Sequence, residues 1–410
     1  MITEVLSLTE TIKYPTIPRR EYIEQKMRSI SISLLLVAAA LAIEIPIRRV
    51  QRKESGFSSG IPIDLDTGSK AYVGIVSIGN PAKDINVAFD ISTSALWVPD
   101  ASCSCAAQCG DEKLCPHLCA SHCCAKKLSD EKSSGSCPNK NVFDPERSRS
   151  YVKGTGSSNL TFLGSTIQAA LGYDTLRLGT HYRPGLTADN VQFGVVKEFN
   201  EAYQDVNYDG VFGLSLASKD GVPSPIKQLA VHGVIPSPLL SVYLLPQTPD
   251  NVVDGVLTVG QLDRQRCLPV TRFVNVEKEE GWVFSATTFN LSYTGYGAYN
   301  GSWRGVFDFG SEYIHVPREV FSELRRSFGD DSEGRLIIPC RNSYSVVVDV
   351  GGESISISSS LLSPYDEHDC EFKIKETKDK YDFRFGLPVL QKKCVVLDFN
   401  GRLALPDKRV

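Results

Sequence analysis

Asp90 lies within the run Val87-Ala88-Phe89-Asp90-Ile91-Ser92-Thr93, and Asp308 within its counterpart, Val306-Phe307-Asp308-Phe309-Gly310-Ser311. In each, an apolar stretch delivers one carboxylate into a turn of small or hydroxyl residues. Each is followed downstream by an x-Phe-Gly-Leu string: Val211-Phe212-Gly213-Leu214 after the first, Arg384-Phe385-Gly386-Leu387 after the second. A repeat of this kind predicts two similar lobes, each presenting one carboxylate. Two carboxylates about 3 Å apart share a proton, because like charges that close cannot both ionise. Such a pair can act as base toward water and as acid toward a leaving group, which is what hydrolysing a peptide bond without metal or cofactor requires. The turns let main-chain N–H groups reach the carboxylates, and Thr93 and Ser311, each three residues on, can donate hydroxyl hydrogen bonds. Either aspartate alone reads as a residue that happens to end a strand. The repeated context carries the chemical reading.

The elements that must position this pair are mostly strands. From Ala71 onward, short β-branched and aromatic runs are broken by Gly, Pro, Asn and Asp, while only PIKQLAVHG and PREVFSELRRSF have the apolar spacing of short helices. Some thirteen strand candidates exceed a single sandwich.

The chain has 410 residues, 42% hydrophobic and 22% charged, with a formal net charge of −4. This suits a soluble chain with a sizeable core and gives no electrostatic ground for a nucleic-acid partner. The apolar run Ile30–Ile43 follows Lys26 and Arg28 and ends in Ala40-Leu41-Ala42, a secretory-signal pattern too short for the roughly 20 residues of a membrane span. No permanent span is expected. Residues 1–42 read as an N-terminal extension and signal, with Met27 as the start that gives the signal ordinary proportions. Residues 43–60 are short and basic, a pro-segment or a tail. Eight of the 12 cysteines fall between Cys103 and Cys137, a density that fits disulfides in an oxidising compartment. His117 and His122 raise zinc as a rival, but there is no clean pair of CxxC hooks, so no metal is expected. Sequons at Asn159, Asn290 and Asn300 agree with a secreted, glycosylated chain.

These segments together resemble the pepsin-like aspartic proteases, from about Ile63 to Leu405. Tyr72–Pro81 is similar to that family's opening strand, NVAFDISTSALWVP (86–99) to its first active-site segment, and GVFDFGSEYIHVP (305–317) to its second. The resemblance implies a mostly β, bilobal pepsin-like fold, with an N-terminal lobe over 61–238 carrying the Cys-rich insert 103–137 and a C-terminal lobe over 239–410. The insert itself is similar to that of nematode members. It implies Asp90 and Asp308 as catalytic residues, Trp97 beside them, a flap with Phe162 at the tyrosine position, and the disulfides Cys340–Cys370 and Cys267–Cys394. A peptide or protein substrate, no cofactor, a monomer and a secreted or lysosomal location follow. The literal Asp66-Thr67-Gly68-Ser69 precedes the opening strand and reads as a turn.

Departures from the family pattern are concentrated at the site. The usual D-T-G is Asp90-Ile91-Ser92 in one loop and Asp308-Phe309-Gly310 in the other, so both threonines that tie the loops together are missing. Ser92 adds bulk where a substrate backbone passes, Phe162 lacks a hydroxyl, Leu163 replaces a glycine, Glu312 adds a carboxylate, and Arg384 replaces an apolar residue. Two readings follow: an acid endopeptidase of reduced activity, or a non-enzymatic peptide-binding protein on the same scaffold.

Overall fold

The computed structural model describes residues 43–50, 71–105, 137, 140–182, 185–219, 221–245, 254–292, 298–341, 344–358, 361–364, 366 and 368–409. Residues 1–42, Asp66–Ser69, His117 and His122 lie outside them.

The first half supplies strands β1 (Ile43–Val50), β2 (Ala71–Ile78), β3 (Lys83–Asp90), β4 (Leu96–Cys105), β5 (Val152–Phe162), β6 (Ser165–Leu178), β7 (Thr187–Phe199) and β8 (Gly210–Gly213). After helix α1 (Pro225–Val231) come β9 (Leu239–Leu244), β10 (Gly255–Val259), β11 (Val274–Asn275), β12 (Phe284–Ser292), β13 (Ala298–Phe307) and β14 (Ile314–Val316). Helix α2 (Arg318–Phe328) leads to β15 (Leu336–Pro339), β16 (Ser345–Val350), β17 (Glu353–Ile357), β18 (Leu362–Pro364), β19 (Asp369–Phe372), β20 (Ile374–Glu376) and β21 (Phe383–Phe385). Helix α3 (Leu387–Leu390), β22 (Val395–Asp398) and β23 (Arg402–Ala404) close the chain.

The mostly β expectation holds, and both helices read from apolar spacing form. α3 has only four residues, too few for a period to register. In α2, Glu319 lies in the first turn and Arg325 and Arg326 in the last, complementing the helix dipole, while Val320, Phe321 and Leu324 face the core. α1 begins at Pro225 with Ser224 as its cap residue, whose hydroxyl donates to Gly213 O at 2.8 Å and so ties the helix to β8.

A 13-stranded sheet runs in the order β11-β23-β22-β9-β10-β1-β2-β3-β8-β4-β7-β6-β5, and a 7-stranded sheet in the order β17-β16-β12-β13-β21-β14-β20. β1 pairs antiparallel with β10 through Ile43–Ile47 and with β2 through Arg48–Val50. One apolar cluster holds residues of both halves, among them Phe89, Phe212, Leu214, Trp282, Phe307, Phe309 and Phe385. Trp282 Nε1 donates to Leu214 O at 2.6 Å, a direct tie between the halves.

Cys267–Cys394 and Cys340–Cys370 are bonded as the resemblance implied. Closing separations of 127 and 30 residues, they stabilise by about 3–5 kcal/mol each in chain-entropy terms. Cys103 bonds Cys137, which closes the two ends of the insert.

Near the C-terminus, burial lowers the Lys408 pKa to about 8, with Lys392 adding to the effect, while its ammonium donates to the carbonyls of Leu244 and Gln391. The unfolded chain then binds more protons than the folded one between pH 8 and 10.5, so this lysine's cost is complete below pH 8 and fades as pH rises. Relative to Lys408→Met, the parent should gain about 1–2 kcal/mol between pH 7 and 10.5, a figure discounted for partial exposure. Urea unfolding of both proteins at the two pH values measures this, and a constant gap would refute it.

Candidate active site

Asp90 is the last residue of β3, and Asp308 directly follows β13. Beside β3 runs β8 in parallel, with Phe212 opposite Phe89 and Gly213 opposite Asp90, and β8 also pairs antiparallel with β4. Beside β13 runs β21 in parallel, with Phe385 opposite Phe307, and β21 also pairs antiparallel with β14. In both halves, therefore, the x-Phe-Gly strand is threaded between the strand that delivers the aspartate and the strand that leaves its turn.

This threading explains the repeated glycine. A Cβ on Gly213 would lie 2.2 Å from Ser94 C, and one on Gly386 would lie 2.4 Å from both Ser311 O and Tyr313 O. Only glycine allows the backbones to approach so closely. The hydrogen bonds repeat as well: Gly213 N donates to Ala95 O at 3.1 Å and Gly386 N to Tyr313 O at 3.1 Å.

Each carboxylate is held by its own loop. Asp90 Oδ1 accepts the Ser92 N–H and the Ser92 hydroxyl, each at 2.7 Å. Asp308 Oδ1 accepts the N–H groups of Gly310 at 2.9 Å and Ser311 at 3.2 Å. The Ser311 hydroxyl differs from the sequence expectation, since it donates to Tyr313 O at 3.3 Å and accepts the Tyr313 N–H, leaving the main-chain amide to reach Asp308. Its turn closes on itself, which satisfies the hydroxyl locally. Thr93 is buried and its carbonyl accepts the Ser215 N–H at 2.8 Å. Both aspartates are half-buried, Ser92 is exposed, and Glu312 is half-buried.

In the sequence Arg384 is only a substitution for an apolar residue, but its contacts define the second carboxylate. Its Nη1 lies 3.2 Å from Asp308 Oδ2, and its Nη2 pairs with Asp379. Burial works against the guanidinium's charge, yet Asp308 and Asp379 outweigh it and raise its pKa above the usual arginine value. The Asp308 partnership has no sequence signal, because residues 308 and 384 meet only through the threading of β21.

Phe162 ends β5, and the two-residue turn Leu163-Gly164 joins it to β6. Both turn residues have positive φ, +48° and +75°, as a tight right-twisted hairpin needs, although leucine rarely adopts that conformation. The Phe162 ring is buried edge-on against Trp97 at 4.9 Å and also packs on Tyr203 and Tyr208. Trp97 in turn packs on Phe199, which stacks on Tyr203 at 3.9 Å. Of this aromatic cluster the sequence pointed only to Trp97 and Phe162, since Phe199, Tyr203 and Tyr208 come from a separate segment. Asn159 and Asn300 are exposed and Asn290 is half-buried. No described helix is long and apolar enough to cross a membrane.

Comparison with known proteins agrees with this geometry. A family model described as Eukaryotic aspartyl protease matches residues 71–403. The chain is 25% identical to Aspartic protease 2 of Necator americanus over 313 residues, 71% of each chain. It is 26% identical to Aspartic protease 10 of Caenorhabditis elegans over 376 residues, 85% of this chain and 86% of the relative. With Pepsin A of Sus scrofa it shares 24% identity over 307 residues, 73% of this chain and 70% of the pepsin. Two threaded copies of one aspartate motif and a family match from β2 to β23 lead to one assignment: the chain belongs to the eukaryotic aspartyl protease family.

Proposed function

We propose that this chain is a secreted aspartic endopeptidase that hydrolyses peptide bonds at acid pH, with Asp90 and Asp308 holding the attacking water between them. The observation that carries this reading is the equivalent placement of the two carboxylates, each fixed through Oδ1 by the N–H two residues on. In the first half of the reaction, the ionised carboxylate takes a proton from water, the hydroxyl oxygen attacks the peptide carbonyl carbon, and the carbonyl oxygen takes the proton of the other carboxyl. In the second half the C–N bond breaks, the nitrogen takes a proton from the pair, and a diol hydroxyl gives one back. Phe162 on its hairpin is the flap residue that closes over an extended peptide. Loss of the two loop threonines and of the flap hydroxyl loosens this geometry, and a misplacement of about 1 Å can cost roughly 10²-fold in rate. The enzyme is accordingly slow. Export is supported by the signal pattern and the exposed sequons at Asn159 and Asn300.

A second reading, peptide binding without hydrolysis, is favoured by one observation, the Arg384 guanidinium on Asp308 Oδ2. The two separate in an assay of denatured protein from pH 3 to 6 with and without pepstatin. Cleavage abolished by pepstatin is expected. Cleavage that pepstatin leaves untouched defeats the dyad mechanism, and bound but uncut peptide moves the assignment to the binding protein.

A further inference from the structure

The two copies of the motif differ most in one side chain. Val211 sits opposite Ala88 in the first, and Arg384 opposite Val306 in the second, each two residues before its aspartate. Val211 is 3% exposed and apolar. Arg384 is a permanent cation whose Nη1 takes the Asp308 oxygen that the loop amides leave available. Three donors, Gly310 N, Ser311 N and Arg384 Nη1, then point at one carboxylate. Asp379 holds the other side of the guanidinium and keeps it in place.

We infer that Arg384 is a built-in brake, a positioning residue that pins negative charge on Asp308 and so opposes the exchange of the single proton between Asp308 and Asp90. The inference rests on the hydrolytic reading above. In that mechanism the pair keeps one proton throughout, but the proton changes sides when water attacks and changes back when the C–N bond breaks. One of the two states in every turnover therefore places the negative charge on Asp90 and leaves Asp308 neutral. A fixed cation 3.2 Å from Asp308 Oδ2 favours the other state. With both side chains only about a quarter exposed (29% and 27%), solvent screens that preference incompletely. The penalty falls on the chemical steps rather than on peptide binding, so it is read in kcat and not in KM.

The test compares the parent with Arg384→Gln and Arg384→Val, both neutral, and with Arg384→Lys, which keeps the charge. Each is also made in an Asp90→Asn background, and thermal unfolding confirms which proteins are folded. Arg384→Gln keeps the Cβ–Cδ stem and a polar, uncharged end, so it serves if the valine variant fails to fold. The neutral variants should raise kcat about tenfold with KM changed less than about twofold, while lysine gains at most about twofold. Neutral variants that are as slow as the parent, or slower, overturn the brake. A lysine variant as fast as the glutamine variant also overturns it, because geometry rather than charge would then be responsible. If the parent shows no turnover, the neutral variants should acquire one that depends on Asp90, and their silence counts against the inference. Hydrolysis that survives Asp90→Asn in every protein defeats the hydrolytic reading itself and takes the brake with it.

Discussion

Replacing Asp90 with asparagine is expected to lower peptide hydrolysis by roughly 10²–10⁴-fold, the range of a positioned acid–base group. Asparagine has nearly the shape of aspartate, and its amide oxygen can still accept the Ser92 N–H and hydroxyl that now meet Oδ1 at 2.7 Å. The β3–β8 register, with Gly213 opposite position 90, is set by main-chain bonds and does not depend on the carboxylate. Stability should therefore change little. The chemistry should not survive, because an amide neither takes a proton from water nor holds one to give to the carbonyl oxygen. Steady-state kinetics at acid pH on parent and variant prepared in parallel, with melting temperatures for both, provide the measurement. A folded Asp90→Asn protein that turns over substrate like the parent would remove Asp90 from the mechanism.

The second large effect concerns folding rather than chemistry. Gly386→Ala should destabilise the chain by about 3 kcal/mol or more, since the added carbon meets two backbone oxygens, at 2.4 Å each, that cannot swing aside as a flexible side chain would. The damage should reach the site as well. Gly386 N donates to Tyr313 O, Leu387 N donates to Ser311 O at 2.8 Å, and Asp308 N donates to Phe385 O at 3.0 Å, so moving this strand moves the Asp308 turn. Gly233→Ala is the control. It has φ +69° and nothing within 4 Å of the added carbon, so its cost should be the backbone term of about 1–2 kcal/mol. Urea unfolding of the two variants decides, and equal costs would mean that close approach is not what glycine provides at position 386.

Much of this arrangement is legible in the chain because it depends on local pattern. The strand-then-Asp context and the x-Phe-Gly-Leu strings are contiguous, and their repetition led to the two motifs now seen as threaded strands. The disulfides Cys340–Cys370 and Cys267–Cys394 came from the family resemblance. What stayed hidden depends on three-dimensional proximity. Arg384, Asp379 and Asp308 form one charge cluster only because β21 lies between β13 and β14. Tyr203 and Tyr208 pack on Phe162, with Phe199 stacked on Tyr203, and their spacing in the chain gives no sign of it. The three-residue spacing of Ser311 from Asp308 suggests a hydroxyl bond to the carboxylate, whereas a tighter turn with Tyr313 satisfies it first.

Strand β1 has a consequence for how the chain can be processed. β2 and β10 do not pair with each other; β1 lies between them, with five residue pairs to β10 and three to β2. Trimming that stops at Ala42 leaves this wedge whole. Trimming after Ala42 together with scission after Val50 would instead turn it into an eight-residue peptide, paired with β10 and β2 through inter-strand hydrogen bonds. Its departure would expose two raw sheet edges facing one another, a vacancy that invites another extended segment to fill it. The wedge thus behaves as a removable keystone, and the continuity of the central sheet depends on whichever strand occupies its slot.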